Sequence, residues 1–536
     1  MELSFIRIPQ ASRRSFSMVL FLLVLFACAL LSGCRRPALP HDILFVALRS
    51  DPMYLNPVIA SEMSSMTVNS LVFNTLVKYN EKMEIVPDLA ESWESSPDGT
   101  RWTFRLREGV TWHDGAPFTS EDVRFTFEKL YEPSTNTFNR GLFQVDGKDP
   151  VVEAPDSRTI KFTLPAPFSP FFANLTQMGI VPAHVLKGQD INRCAFNWHP
   201  VGTGPFRFKE WRSSERIYLE AHKGYFLGCP RLRGMVFSII PSAESRRIAL
   251  MTGTVDISNL STEDLRAVKD MKNITLYQWE QFVYYYVGFD LTKEIFQDVK
   301  VRKAINYAID KEKIVKAVLQ GTGRAATGPI PLPSWAYSDR VERYGYDPAK
   351  AGRLLDEAGW KKGKDGIRSR EGMKLEFKLY YPSGNPLCEK AAVFIQAFLH
   401  DAGIKADLRA TEFSALINLC NPGQFDAVIL DWVENFDPDC YTEWHSSQMG
   451  DKGMNFMSYS NPSVDKVLEE ARKTADQARR KELYRQFQEK IVEDAPYVFL
   501  WNPYGIVAVS NRVRGLTEPG PAGYLIDPEK VYITVE

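Results

Sequence analysis

FDAVILDWVENFDP, residues 425–438, carries a short apolar run, Ala427–Leu430, held between Asp426 and Asp431. A run of this length with β-branched Val428 and Ile429 favours a strand buried on both faces over a buried piece of helix. Beyond the run, Asp431, Trp432, Glu434, Asn435, Phe436 and Asp437-Pro438 crowd large rings among acids. In open α/β sheets ligands bind beyond the carboxyl ends of the strands. A cluster of rings and acids at such a place suits a cleft for something apolar that carries a positive group. An ordinary strand exit with a core tryptophan gives the same letters.

The flanking sequence fits an α/β chain. Ile404, Ala406 and Leu408 alternate as a strand, and Phe413–Leu419 reads as a helix leading into the 425–432 strand. Phe394, Ile395, Phe398 and Leu399 recur at helical spacing and stop at Gly403. Asp347-Pro348 caps a helix that Gly359 ends. Leu468, Ala471, Leu483, Phe487 and Ile491 fall in two late helices, and Tyr497–Trp501 reads as a returning strand. Helix and strand in alternation describe a sheet wrapped by helices. Nearer the start, Ile43–Leu48 reads as a strand and Thr67–Leu76 as a helix after a Met-rich polar segment. Trp102, Phe104 and Leu106 alternate as a hairpin strand after the turn Ser96-Pro97-Asp98-Gly99, and Thr119 with Asp122 opens a helix.

A chain of 536 residues is too long for one core and implies about two to four domains. Apolar content of 44%, charged content of 24% and a net charge of −1 describe a globular protein with no call for nucleic acid. The N-terminus reads as an export signal: Arg7, Arg13 and Arg14 precede an apolar stretch from Phe16 to Leu31. The following Leu31-Ser32-Gly33-Cys34 resembles a bacterial lipobox, which implies a lipidated Cys34 and anchoring to a membrane. Cys194, Cys229, Cys388, Cys420 and Cys440 remain; Cys194–Cys229 and Cys420–Cys440 are conceivable pairs, and the odd number leaves one thiol over.

Motifs in order along the chain resemble the family 5 bacterial extracellular solute-binding proteins, the oligopeptide- and dipeptide-binding group. They are PDLAESW, SPDG, WTFRLREGVTWHDG and FTSEDVRFTFEKL within 87–130, Gly202-Thr203-Gly204-Pro205-Phe206, IALMTGTVDIS at 248–258 and VRKAINYAIDKEKIVKAVLQGTG at 301–323. YDPAKAGRLLDEAGW at 346–360, the 425–438 stretch and NPSVDKVLEEARKTAD at 461–476 complete the series. The resemblance implies an α/β, periplasmic-binding-protein-like two-lobe fold (type II, cluster C) with an extra domain inserted in the first lobe. It divides the chain into a signal (1–33), first lobe (34–75), insert (76–201), first lobe again (202–281), second lobe (282–500) and a return (501–536). Crossings between lobes fall near Phe282–Phe289 and Trp501. It further implies a non-enzymatic, monomeric receptor of an ABC importer that needs no cofactor, closes by hinge motion and passes a short peptide to permease subunits. Peptides of such a group add their backbone to strands of the cleft. A non-peptide solute such as a metal chelate, haem, sugar or opine is the alternative.

By the same resemblance an acid just after the strand tryptophan meets the ligand ammonium. Counting from Trp432 gives Asn435 and counting back from Asp437-Pro438 gives Glu434; Asp431 or Asp437 could serve instead. Trp432 and Phe413 match pocket-lining aromatics, and Ala60, Ser61 and Glu62 match a first-lobe loop that touches ligand backbone. Positions that receive a carboxyl terminus elsewhere fall on Ile429 and Cys420, both unsuited to it, and Lys390 is a substitute that also reads as a solvated helix lysine. No GxSxG, HExxH or GxxxxGK motif occurs, and Gly321-Thr322-Gly323 follows a helix, so it is no dinucleotide turn. The scattered histidines, His113 and His445 among them, read as structural or surface residues rather than metal ligands.

Overall fold

The computed structural model describes residues 40–421, 423–450, 453–521 and 523–534; the expected export signal and Cys34 lie outside them. Ala427–Val433 is a strand, and Ala427, Val428, Ile429 and Leu430 are sealed from solvent. It runs antiparallel to Val283–Phe289, with Tyr286 opposite Leu430, and parallel to Glu376–Pro382. Inner position explains the unbroken apolar run, because helices cover both faces of such a strand.

This strand belongs to a twelve-stranded sheet. Its main path runs through Lys405–Thr411, Glu376–Pro382, Ala427–Val433, Val283–Phe289, Tyr497–Ser510, Ile257–Asn259, Ile43–Leu48, Gly234–Ile239, Arg216–Ala221 and Phe206–Arg212. Tyr497–Ser510 joins the halves. Its first residues pair with Val283–Phe289 (Trp501 opposite Tyr285), and its later ones pair with Ile274–Glu280 (Tyr504 opposite Glu280). The expected strand Tyr497–Trp501 is therefore only the first part of a fourteen-residue strand. Apolar residues form two main cores. One draws on Tyr284 to Trp501, and the other runs from Leu44 to Val531. A separate four-stranded sheet, with Arg101–Leu106 and Thr159–Thr163 at its centre, contributes Phe104 and Phe162 to the second core.

Local signals account for most element ends. The Asp347 carboxylate accepts from the Lys350 N–H at 2.8 Å with Pro348 in the first turn, and Gly359 ends that helix at φ +85°. Thr119 N–H donates to Asp122 at 2.9 Å, at the start of the helix Ser120–Tyr131. The expected helix Thr67–Leu76 is displaced: it spans Met63–Val72. Glu62 begins it early, accepting from Ser64 N–H at 2.6 Å and Ser65 N–H at 2.8 Å. Both conceivable disulfides are absent, and Cys194, Cys229, Cys388, Cys420 and Cys440 are free thiols.

Candidate functional site

Alternation along the strand sends Asp431 and Trp432 to opposite faces. Trp432 is half-buried, its ring 5.6 Å from Phe456 and 6.3 Å from Tyr286, both close to parallel, and its indole N–H donates to the Tyr497 hydroxyl at 3.4 Å. Tyr497 stacks on Tyr286 at 4.0 Å. On the other face, burial pushes the Asp431 carboxyl up, with Tyr285 and Cys388 close by.

Glu434 closes the strand: its N–H donates to Phe282 O at 2.7 Å. The residue is half-buried, but its Oε1 is sealed from solvent and has no hydrogen-bond partner. Tyr284 faces it, fully buried, and its hydroxyl is also unpartnered. Burial, reinforced by the neighbouring Glu443, holds the Glu434 carboxyl well above the usual carboxylate range. Asn435 is exposed. The Phe436 ring packs on Phe282 at 5.2 Å and edge-on to Tyr79 at 4.8 Å. Tyr79 lies on Val77–Tyr79, whose neighbours Leu76 and Val77 belong to the Leu44–Val531 core. The loop after the strand is thus where the two cores' segments meet.

The acids continue past it. Asp437 is spent on Arg480, which grips both carboxylate oxygens at 2.7 and 2.8 Å in a buried pair, so it is not available to a ligand. Asp439 accepts from Arg472 Nε at 3.0 Å, but its Oδ1 is sealed and unpartnered. The Glu443 Oε2 is also sealed without a partner, and burial pushes that carboxyl up to about 7. Arg472 stacks over Tyr441 at 4.2 Å and over Phe168 at 5.0 Å, while Ser169 N–H donates to Arg472 O at 2.7 Å. Phe168 belongs to the Leu44–Val531 core, so this end of the acid group also abuts the first half of the molecule.

Of the residues singled out in the sequence, Trp432, Glu434 and Asn435 lie at this junction. Ile429 does not: it is fully buried opposite Val287 in the strand core. Phe413 starts the helix Phe413–Cys420 and is 55% exposed, so it packs in no closed pocket. Ala60 is buried, with its carbonyl 3.4 Å from Asn139 Nδ2; Ser61 is exposed; Glu62 is the helix cap described above. Lys390 reaches across to Glu263 at 3.2 Å. Sequence reasoning missed Tyr284, Tyr286, Asp439, Glu443 and Tyr497. The run Tyr284-Tyr285-Tyr286 and the four-residue step from Asp439 to Glu443 were the available signals. Open surface hollows of about 580 and 910 Å³ lie elsewhere, along Glu121–Glu132 and beside Trp198. Among the described residues no His, Cys, Asp and Glu group converges closely enough to hold a metal ion, and no helix is long and apolar enough to cross a membrane.

Residues 84–453 match bacterial extracellular solute-binding proteins, family 5. The oligopeptide-binding protein AppA of Bacillus subtilis is 32% identical over 486 residues, 88% of each chain. Its structure in complex with a nonapeptide superposes with a TM-score of 0.75 at 31% identity, covering 92% of this chain and 99% of that one. NikZ of Campylobacter jejuni in complex with Ni(L-His) superposes with a TM-score of 0.78 at 30% identity, over 92% of this chain and 100% of that one.

Proposed function

The chain belongs to the family 5 bacterial extracellular solute-binding proteins, with their two-lobe fold, and from that we propose that it captures short peptides between the lobes for delivery to an ABC permease. The observation that carries this reading is Glu434: a sealed, unpartnered carboxyl at the lobe junction, walled by Tyr284 and by the rings on either side of it. An ionised group in such a place costs several kcal/mol, roughly, until a cation reaches it. The terminal ammonium of a peptide supplies one. Exposed Asn435 adds a hydrogen-bonding group beside it, Trp432 gives an apolar wall, and the peptide backbone lies along the cleft strands, which makes affinity tolerant of sequence. Asp431 borders the same strand end from the opposite face. The protein acts as a binding component rather than an enzyme, outside the cytoplasm. Lipidated Cys34 tethers it beside its transporter, the segment 76–201 forms an inserted domain, and one chain binds one guest.

Calorimetry with trialanine and N-acetyl-trialanine tests the reading. Free trialanine should bind about tenfold or more tightly. Equal affinity for both would remove the ammonium site. It would favour the second reading, a non-peptide solute such as a metal chelate, which NikZ with its Ni(L-His) supports.

A further inference from the structure

The acid group at the lobe junction holds more negative charge than a single ammonium can balance. Arg480 neutralises Asp437 and Arg472 neutralises Asp439, but among the described residues neither Glu434 nor Glu443 has a cation of its own. Sealed oxygens of Glu434, Asp439 and Glu443 have no hydrogen-bond partner, and the hydroxyl of fully buried Tyr284, close to Glu434, has none either. Trp432, Tyr284, Tyr286 and Tyr497 make the surrounding surface aromatic, which favours organic cations. The carboxyls do not converge on one point as metal ligands must.

We propose that Glu434 and Glu443 take two positive charges from one guest: its head ammonium at Glu434 and an adjacent basic side chain at Glu443. The preferred ligands are then peptides whose first residue is arginine or lysine. This builds on capture of a cationic head at Glu434 and adds a second charged subsite. The physical reason is repulsion between two carboxylates in a dry place. A guest with one charge leaves one of them to be neutralised by a proton, whereas a dication satisfies both.

Argininamide and citrullinamide decide the matter by calorimetry at pH 8, because both carry the head ammonium and nearly the same shape, and only the first has a charged side chain. Argininamide should bind at least about tenfold more tightly, and Glu443→Gln should bring the two together. As a check that does not depend on the variant folding, the wild-type preference should shrink between pH 8 and pH 5.5. Over that range Glu443 gains its proton near 7, with Glu434, Asp439 and the fixed pair Asp437–Arg480 as its charged surroundings together with Arg472. Equal affinity for the two amides, or a preference that survives Glu443→Gln, overturns the proposal. If both amides bind equally while trialanine still beats its acetylated form, only the second subsite falls. If neither amide binds, the head site falls with it. Binding of argininamide without any peptide binding leaves the acid subsite standing and removes the peptide reading.

Discussion

Glu443 shows at the residue scale how a buried, unpartnered carboxyl costs stability. Burial raises its carboxyl to about 7 and holds that of Glu434 well above the usual carboxylate range. A carboxyl whose folded value lies above its unfolded one favours the fold while protonated, and that contribution is lost as pH rises through the folded value. The empty receptor should therefore lose thermal stability between about pH 5 and pH 7. Glu443→Gln should flatten that slope and raise stability at pH 8 by on the order of 1–3 kcal/mol, seen as a shift of about 2 °C or more in calorimetric melting. An unchanged slope in the variant would remove the repulsion argument. Asp437→Asn should act in the opposite sense, costing about 3–5 kcal/mol in urea unfolding, because it leaves Arg480 buried and unpaired. Sequence spacing left Glu434 and Asn435 as alternatives because the stretch after Trp432 gave two counts. Their side chains differ in burial, with the Glu434 Oε1 sealed and Asn435 exposed, which is why the proposal rests on Glu434. Asp439 and Glu443 were signalled only by their four-residue spacing, which does not tell a buried acid from a solvated one.

Among the elements, Tyr497–Ser510 matters most, because among the described residues it alone pairs with strands of both halves. Gly505 sits within it, and a Cβ there would come within 2.4 Å of the Trp279 ring on the neighbouring strand. Gly505→Val should destabilise the protein by about 1–3 kcal/mol in urea unfolding. A neutral result would mean that Trp279 yields freely and that the crossing is not tightly packed. Periodicity found the helices and inner strands here because their apolar spacing is dictated locally, as in the capped helix Pro348–Glu357. It failed at Met63–Val72, where the capping carboxylate of Glu62 outweighs a polar, Met-rich start. It also truncated Tyr497–Ser510, because Asn502 and Pro503 look like a strand end. Pro503 stays in the strand, opposite Gly323, at the point where the pairing partners change.

At the scale of the whole molecule, the halves touch at named places: Tyr79 with Phe436, Ser169 with Arg472 and Thr474, and Glu263 with Lys390. The last pair is half-exposed, and such a bridge contributes at most about 1 kcal/mol. In the proposed reading, closure is governed by what the guest adds, since a ligand shifts an equilibrium only through its preference for one state. The two-lobe plan was legible from ordered motifs along the chain; which surfaces meet was not, because those contacts join residues hundreds of positions apart.

Enclosure of the guest is the central claim, and a cross-link across the mouth tests it most directly. In a Cys229→Ser background, which removes the one thiol exposed among the described residues, Glu263→Cys with Lys390→Cys places two thiols where the ion pair now spans the halves. The quantity to measure is the exchange of a labelled tripeptide before and after joining them with a short bis-thiol reagent. The account predicts faster cross-linking in the presence of peptide and a joined protein that holds its peptide with greatly slowed exchange. Exchange equally fast in the joined and open proteins would place the guest outside the lobes and contradict it.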